Sequence, residues 1–336
     1  ADEGEFVKRF ERLLQGRDQD VPVVLVHGLD SSCLEWRRVI PLLEAAGLEV
    51  WALDVLGWGS TCRQDVDLSP DARRAHLAAF IDTQIGRPVL LVGASFGANL
   101  AVDLAYHHPP LVSKLLLLSP TVLLPGLPFS NPSTIFRKWL SAGLASRALR
   151  AAAAALAGPG FALPSSDEAD VMAVGATRKD AGSHARATLA LLDGGGFNVA
   201  PLVGMVEAQT FLVFGENDRL VPHSVHAPPL EEAIGERATL RLIPGGSHAA
   251  HWHQAEGVAR VVVEAAEADA WQCRTCANRR AVGCPNCDAQ GKYDASGLMV
   301  QCSCCKGRGR VVCRACFKGD PYDIEAVRGR MRKLPD

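Results

Sequence analysis

Three residues whose side chains can together activate a serine lie far apart in the sequence: Ser95, Asp218 and His248. Ser95 is the centre of the pentapeptide G-A-S-F-G, in which small residues permit a sharp turn between a strand and a helix. The other two residues each follow an apolar run that predicts a strand. The positions of these three residues after strand-like runs therefore predict that Ser95, Asp218 and His248 belong to one catalytic set.

The histidine and the acid of this set have competitors nearby in the sequence. His251 and His253 follow in the same short run as His248, but His248 comes immediately after the predicted strand and turn. Glu216 comes early in the turn that holds the predicted acid, and Asp193 follows a helical pattern rather than a strand. Position relative to the strands therefore favours the first assignment for both roles.

Eight cysteines near the end of the chain form four C-x2-C pairs. A two-residue gap lets both thiolates of one turn reach the same tetrahedral ion, and two pairs complete a four-thiolate site, so the pattern predicts two structural Zn²⁺ ions. Disulfides are the alternative, but the preceding segment holds only Cys33 and Cys62, and C-x2-C pairs in reducing compartments usually bind metal. The predicted zinc ligands are Cys273, Cys276, Cys284, Cys287, Cys302, Cys305, Cys313 and Cys316.

Composition excludes several classes of protein. Hydrophobic residues make up 48% of the 336, enough for a substantial core, yet no apolar stretch of about twenty residues could span a membrane. No charged and apolar leader is present, so we expect that a transit peptide is absent from this chain. Residues 271–336 carry 13 Lys+Arg and 6 Asp+Glu, a net charge of +7. Two four-thiolate zinc sites, formally −2 each, lower this to about +3, which argues against specific nucleic-acid binding.

The elements that must position the three residues follow from the apolar pattern. Short apolar runs alternate with helical patterns, which predicts an α/β fold with a mostly parallel sheet. The predicted strands cover 21–26, 48–53, 88–92, 114–118, 210–214 and 239–243, and the predicted helices cover 34–46, 70–86, 98–107 and 254–268.

The predicted domain organisation has three parts. Residues 1–270 form the α/β domain, 271–320 the zinc-binding domain, and 321–336 a basic tail. Within the first domain, residues 124–201 change to Ala-, Gly- and Pro-rich segments and are interpreted as an inserted cap. Its clearest helix, Ser133–Leu156, mixes basic and apolar residues, so it either covers a pocket or rests on a membrane surface.

The G-A-S-F-G turn and the chain order Ser, Asp, His resemble the α/β-hydrolase superfamily over about residues 21–268. The resemblance implies an α/β-hydrolase fold with a helical cap. It also implies that Ser95 attacks an acyl carbon, that His248 takes and returns the proton, and that Asp218 orients the imidazole, with an ester or thioester as substrate. The backbone N–H groups of Leu29 and Phe96 would form the oxyanion hole. Residues 27–37 (HGLDSSCLEWR) and 51–59 (WALDVLGWG) are similar to α/β-hydrolases of plant and algal chloroplasts. This similarity implies a chloroplast location, in the stroma or at the thylakoid surface.

The cysteine-rich segment resembles the zinc-finger domain of DnaJ-type chaperones, whose unit is C-x2-C-x-G-x-G. The run from Cys302 to Gly309 fits this unit fully, and the other three units have lost glycines. The short spacing is similar to that of small chloroplast zinc-finger proteins that assist assembly of photosynthetic complexes. That similarity implies that the outer two pairs share one zinc and the inner two pairs the other, while sequential pairing remains open.

Three functional hypotheses follow. In the first, the chain is a serine hydrolase of a lipid or pigment acyl ester, and the zinc module docks it to a protein partner such as a membrane-associated photosynthetic complex. In the second, it is an assembly or scaffold factor that binds protein clients through the zinc finger, and its hydrolase fold is not catalytic. The third, a thiol oxidoreductase, requires cysteines free of metal. The complete set of Ser95, Asp218 and His248 favours the first.

Overall fold

The computed structural model describes most of the α/β region and a few strands of the cysteine-rich segment. The described residues are 21–29, 31–61, 66–122, 181–193, 198–269, 281–283, 290, 292–295, 298–301 and 310–312. The predicted cap helix Ser133–Leu156, Cys62 and all eight predicted zinc ligands lie outside them. The predicted domain boundary near residue 270 and the basic tail 321–336 also lie outside the described part and stay predictions.

A six-stranded parallel sheet forms the centre of the fold, as the alternating pattern predicts. Its strand order is β2-β1-β3-β4-β5-β6, and every neighbouring pair in it is parallel. A parallel sheet is covered on both faces, which explains why its central strands are continuous apolar runs. The strands are β1 (Val23–Val26), β2 (Val50–Leu53), β3 (Val89–Ala94), β4 (Val112–Leu118), β5 (Gln209–Gly215) and β6 (Ala238–Ile243).

Helices cover both faces of this sheet, and the sheet separates the core into two clusters. Because alternate side chains of a strand point to opposite faces, Val24 and Val26 pack in one buried cluster and Val23 and Leu25 in the other. The described helices are α1 (Ile40–Ala45), α2 (Pro70–Phe80), α3 (Phe96–His107), α4 (Ala181–Asp193), α5 (Ala200–Val203), α6 (His223–Ile234), α7 (Ala250–His253) and α8 (Ala255–Glu267). The first cluster contains side chains of α2, α3 and α6, and the second contains those of α1 and α8.

Two predicted helices differ from the observed ones. The continuous helix predicted over 34–46 is wrong, because a 3-10 turn at Cys33–Trp36 is followed by the separate helix α1. Pro41 lacks an N–H group and is tolerated only in the first turn, so α1 begins at Ile40. The helix predicted over 70–86 ends its regular α part at Phe80 and continues as a π-helical turn to Ile85.

Helix α6 has no counterpart in the sequence prediction. It contains Pro228 and Pro229, which remove two N–H donors from a helix interior and therefore argue against a helix. Both prolines lie on the exposed side, so the freed carbonyl groups can be solvated, while Ala227 and Leu230 are buried. Burial of that apolar side outweighs the low helix propensity of the proline pair. Among the described residues no helix is long and apolar enough to cross a membrane.

One buried lysine fixes the end of the last helix of the α/β region. Lys114 lies near the start of β4 and is only 5% exposed. Its Nζ donates hydrogen bonds at 2.9 Å to the carbonyl oxygens of Ala265 and Ala266, and a third to that of Ala268. The last carbonyls of a helix have no intrahelical donor, so an ammonium group at this position satisfies them and complements the helix dipole.

The described part of the cysteine-rich segment consists of two antiparallel ribbons. Strand β7 (Ala281–Gly283) pairs with β10 (Arg310–Val312), so that Gly283 lies opposite Arg310. Strand β8 (Lys292–Ala295) pairs with β9 (Leu298–Gln301) as a hairpin. The hairpin is therefore nested in the sequence between the two strands of the first ribbon.

Candidate active site

Ser95 lies on a strained turn between the end of β3 and the start of α3. Its φ of 52° and ψ of −116° are sparsely populated for a non-glycine residue, and its N–H donates to Leu118 O of the neighbouring strand at 2.8 Å. The flanking glycines are needed because the chain passes so close to itself. A Cβ on Gly97 would lie 2.4 Å from Val26 O, and one on Gly93 would lie 2.4 Å from Gly97 O. The turn thus presents the serine above the carboxyl edge of the sheet.

The structure brings His248 and Asp218 to this serine in one hydrogen-bonded line. His248 Nε2 lies 3.0 Å from Ser95 Oγ, and His248 Nδ1 lies 2.9 Å from Asp218 Oδ2. Asp218 Oδ1 accepts the backbone N–H groups of Leu220 at 2.9 Å and Val221 at 2.8 Å. An ionised carboxylate only accepts hydrogen bonds, so Nδ1 carries the proton and Nε2 is left as an acceptor facing the serine hydroxyl. This tautomer is the one that a general base requires.

Burial and charge keep Asp218 ionised. Burial by itself raises the pKa of Asp218, but the hydrogen bond and charge of His248 and the N–H group of Val221 outweigh it, so that the pKa is below its ordinary value. The Asp218 side chain has no exposed surface, and that of His248 is 6% exposed. A dry, ionised carboxylate behind the imidazole stabilises the imidazolium that forms during acyl transfer.

The side chains of His251, His253 and Glu216 lie elsewhere. His251 is buried on α7, and its Nε2 is 3.5 Å from a carboxylate oxygen of Glu35. His253 is exposed at the end of α7. Glu216 is exposed and accepts the backbone N–H of Gly245 at 3.2 Å. Asp193 is the last residue of α4. Among the histidines the structure brings His248 to the nucleophile, and it brings Asp218 rather than Glu216 to His248.

The predicted oxyanion donors belong to the two segments that flank the serine. Phe96 directly follows Ser95 and begins α3, and Leu29 follows Gly28 in the loop after β1. This loop approaches the nucleophile closely, because a Cβ on Gly28 would lie 3.6 Å from Ser95 Cβ. Within the described part of the chain, no backbone carbonyl accepts the Leu29 N–H. The two N–H groups are thus in segments that can converge on an oxygen bound at Ser95, and their role stays a prediction.

His27 fixes the conformation of this loop. Its Nε2 accepts the N–H of Val55 at 2.8 Å, so the proton of the neutral ring must be on Nδ1, which lies 2.8 Å from Gly28 O and donates to it. The ring is fully buried between β1 and the segment after β2. The sequence prediction used His27 only as a motif residue and did not foresee that it holds the peptide unit of the predicted oxyanion donor.

Sequence reasoning also missed a buried arginine beside the site. The Arg73 guanidinium carbon lies 4.4 Å from the ring centroid of Trp58 and 5.9 Å from that of Phe96. Its Nη2 donates to Ala187 O of α4 at 2.8 Å, whereas Nε and Nη1 have no hydrogen-bond acceptor among the described residues. Burial lowers the pKa of Arg73 to about 10, so the side chain remains charged at neutral pH. Its position on α2, an apparently amphipathic helix, gave no signal of full burial.

Comparisons with known proteins agree with this fold. A family model described as the Alpha/beta hydrolase family matches residues 23–261. The Alpha/beta hydrolase domain-containing protein VTE7 of Arabidopsis thaliana is 35% identical over 257 residues, covering 74% of this chain and 75% of the relative. The solved structure of CarC, a serine hydrolase involved in carbazole degradation, is 26% identical with a TM-score of 0.59, covering 73% of this chain and 90% of that one. An esterase from Exiguobacterium antarcticum, 17% identical with a TM-score of 0.60, covers 74% of this chain and 92% of its own and supports the fold alone.

Proposed function

The chain belongs to the alpha/beta hydrolase family, and on that premise we propose that it is a serine hydrolase that cleaves a carboxylic ester. The observation that carries this proposal is the line of hydrogen bonds from Ser95 Oγ through His248 to Asp218. A serine with only a structural role does not require a histidine in the acceptor tautomer at 3.0 Å, hydrogen-bonded in turn to a buried carboxylate.

The proposed reaction proceeds in two half-reactions. Ser95 Oγ attacks the acyl carbon while His248 Nε2 takes its proton, and Asp218 stabilises the resulting imidazolium. The carbonyl oxygen becomes an oxyanion that the N–H groups of Leu29 and Phe96 bind, each typically contributing about 3 kcal/mol. Collapse of the tetrahedral intermediate breaks the ester bond, and His248 returns its proton to the leaving alcohol. Water, activated by the same histidine, then hydrolyses the acyl-serine by the reverse sequence of steps.

An apolar acyl or alcohol group is the proposed substrate class, as in a lipid or pigment ester. Leu29, beside the predicted oxyanion position, and Leu220, two residues after the predicted acid, are each 45% exposed. Both lie on loops that follow strands at the edge that carries Ser95. Exposed leucines on catalytic loops favour apolar ligands, because a water-soluble substrate gains little from them. The similarity to a plant hydrolase supports the proposed chloroplast location.

For the cysteine-rich segment we propose two structural zinc ions and a protein-docking role. Cys284 directly follows β7 and Cys302 directly follows β9, so both inner pairs fall in the segments that connect the same two ribbons. The nested pairing thus supports a shared zinc for Cys284, Cys287, Cys302 and Cys305, and a second zinc for the outer four cysteines. Four thiolates per ion leave no coordination position for substrate, so bound zinc would supply cross-links and not catalysis.

The scaffold hypothesis remains the alternative because the chaperone-like cysteine spacing favours client binding. In that case the tail would bind a protein partner, such as a photosynthetic complex under assembly, and the hydrolase fold would serve as a binding body. It leaves the strained turn at Ser95 and its hydrogen-bonded histidine without a role. The two hypotheses differ in whether the serine is activated.

Labelling of the zinc-loaded full chain with a fluorophosphonate probe tests the proposal. We expect label on the parent, none on Ser95→Ala or His248→Ala, and unchanged label on Ser113→Ala, which removes a hydroxyl from β4 that bonds Val89 O. A folded parent that stays unlabelled would overturn the hydrolase proposal and favour the scaffold. Elemental analysis of the same sample should give two zincs per chain, and a lower ratio would contradict the proposed metal sites independently of the labelling.

A further inference from the structure

A buried acid next to the predicted oxyanion loop has no part in the mechanism above. Glu35 lies in the 3-10 turn Cys33–Trp36 and is 5% exposed. Its Oε1 accepts the backbone N–H of Gly28 at 2.8 Å, and Ser31 donates a side-chain hydrogen bond to the same carboxylate. Burial of a carboxylate is unfavourable unless it is well hydrogen-bonded, and one of the hydrogen bonds that this carboxylate accepts comes from a loop peptide beside the nucleophile.

The partner of this acid comes from the segment of the catalytic histidine. His251 Nε2 lies 3.5 Å from Glu35 Oε1, which is an ion-pair distance without hydrogen-bond geometry, and its ring lies against Trp36 with centroids 4.8 Å apart and planes tilted by 35°. His251 follows His248 by three residues and is itself 5% exposed. Burial by itself raises the pKa of Glu35, but the neighbouring imidazoles of His251 and His27, with the Ser31 hydroxyl, outweigh it and hold the pKa below its ordinary value. Glu35 is therefore a carboxylate at neutral pH.

The geometry of Gly28 explains why this contact bears on the oxyanion hole. The C=O of Gly28 belongs to the same peptide unit as the Leu29 N–H, and it accepts from His27 Nδ1. The N–H of Gly28 belongs to the preceding peptide unit and donates to Glu35. Both peptide units next to the Gly28 Cα are thus fixed, one by His27 and the other by Glu35. A trans peptide directs its N–H opposite to its C=O, so fixing one group also fixes the other.

Glycine makes this double restraint necessary. A residue without a Cβ populates many backbone conformations, so an unrestrained Gly28 could rotate the Leu29 N–H away from the serine at little cost. The loop itself lies against the nucleophile turn, since a Cβ on Gly28 would be in van der Waals contact with Ala94 O and Ser95 Cβ, each at 3.6 Å.

We propose that Glu35 is a positioning residue that, together with His27, fixes the backbone of Gly28 so that the Leu29 N–H points toward the oxyanion, and that His251 holds the Glu35 carboxylate in place. The pair links the loop after β1 to the segment that carries His248, so the oxyanion donor and the general base share one support. This inference rests on the proposed hydrolase function and assigns a role to the same site that the three-residue relay does not contain.

The test compares Glu35→Leu, Glu35→Gln and His251→Phe on the zinc-loaded full chain with a p-nitrophenyl butyrate substrate and an alkyl trifluoromethyl ketone inhibitor. Glu35→Leu removes the acceptor for Gly28 N–H, and we expect kcat to fall about 10–100-fold with KM changed less than about threefold, since a misoriented donor weakens transition-state binding. Glu35→Gln keeps an acceptor oxygen and should retain more activity. His251→Phe preserves stacking on Trp36 and should lie between the two.

The inhibitor provides the measurement that a merely structural role would leave unchanged. Its serine adduct carries an oxyanion, so its Ki should rise in parallel with the loss of kcat. Glu44→Gln, an exposed acid on α1, and His253→Phe, the exposed histidine of α7, are the matched controls and should leave both values unchanged.

The outcomes separate the two proposals. If the parent is folded but unlabelled by fluorophosphonate, the hydrolase proposal fails and this inference falls with it. If the parent is active and a folded Glu35→Leu keeps its kcat and Ki, the positioning role alone is overturned. Should Glu35→Leu fail to fold, His251→Phe decides, because parent-like kcat and Ki in that variant would contradict the proposed support.

Discussion

Replacement of Asp218 by Asn changes one atom and should reverse the proton on the catalytic histidine. Asp218 Oδ1 lies between two backbone donors, at 2.9 Å from Leu220 N and 2.8 Å from Val221 N. The asparagine carbonyl must take this place, because an NH2 group there would face two N–H groups. The NH2 then lies at the position of Oδ2, 2.9 Å from His248 Nδ1, and donates to it. The ring proton moves to Nε2 and points at Ser95.

A histidine with its proton on Nε2 cannot accept one from the serine. A tautomer change of this kind lowers kcat by about 10⁴-fold, or about 5 kcal/mol of transition-state stabilisation. The backbone hydrogen bonds at Oδ1 persist and the bond to His248 becomes a neutral one, so the free energy of unfolding should fall by only about 1–2 kcal/mol, the difference between a charge-assisted and a neutral hydrogen bond.

The assay is the rate of fluorophosphonate labelling together with kcat/KM on p-nitrophenyl butyrate, with intact mass used to exclude deamidation of the new asparagine to aspartate. Glu216→Gln, which changes the exposed acid two residues earlier, is the matched control and should be as active as the parent. Labelling of Asp218→Asn within tenfold of the parent would refute the tautomer argument. Loss of activity in Glu216→Gln would show that the acid had been assigned to the wrong residue.

Three further predictions concern packing and protonation. Gly97→Ala should lower the free energy of unfolding by about 3 kcal/mol in urea titrations, because its Cβ would lie 2.4 Å from Val26 O. Gly86→Ala should cost about 1–2 kcal/mol, because its Cβ would make only an ordinary contact at 3.8 Å with Asp82 O but its φ is +69°. Equal costs would contradict the steric argument. Arg73→Met should leave the free energy of unfolding unchanged or raise it, because the change removes a buried cation that has no carboxylate partner among the described residues. A decrease in the free energy of unfolding of more than about 3 kcal/mol would contradict this prediction. Burial, followed by the neighbouring Asp54, raises the pKa of Cys33 to about 11, so only about one molecule in a thousand carries the thiolate at pH 8. Peptide mapping should therefore show slow alkylation of Cys33 at pH 8 and faster alkylation up to pH 11. Rapid modification at pH 8 would contradict this prediction.

The parallel sheet and the family could be predicted from the sequence because both depend on local patterns. The four central strands, β1, β3, β4 and β5, are short runs rich in apolar residues, and burial on both faces makes such runs recognisable without any tertiary information. The G-A-S-F-G turn could be located for a similar reason, since Gly93 and Gly97 are required by backbone contacts at this one bend. The structure also brings Ser95, Asp218 and His248 together as their order suggests, while their catalytic roles stay predictions.

Buried charges were beyond sequence reasoning because their meaning depends on partners distant in the chain. Glu35 precedes a tryptophan in what reads as the first turn of a surface helix, and only the fold shows that it faces Gly28 and His251. Arg73 reads as a solvated residue of α2, yet Trp58 and Ala187 enclose it. The helix α6 was missed for another reason, because tertiary burial of one side overrode the local effect of its two prolines.

The hydrogen bonds of Lys114 determine from which side the chain leaves the α/β region. The carbonyl of Leu118 accepts the N–H of Ser95 at the carboxyl end of β4. Lys114 lies four residues earlier on the same strand, which is a distance of about 13 Å. Because Lys114 also binds the carbonyl of Ala268, the chain leaves the α/β region at the amino edge of the sheet, opposite the carboxyl edge that carries Ser95. A binding partner joined to the chain after Asp269 by a short linker would then lie at this amino edge. The carboxyl edge with Ser95 would then face away from that partner, so that substrate and partner approach the α/β region from opposite directions.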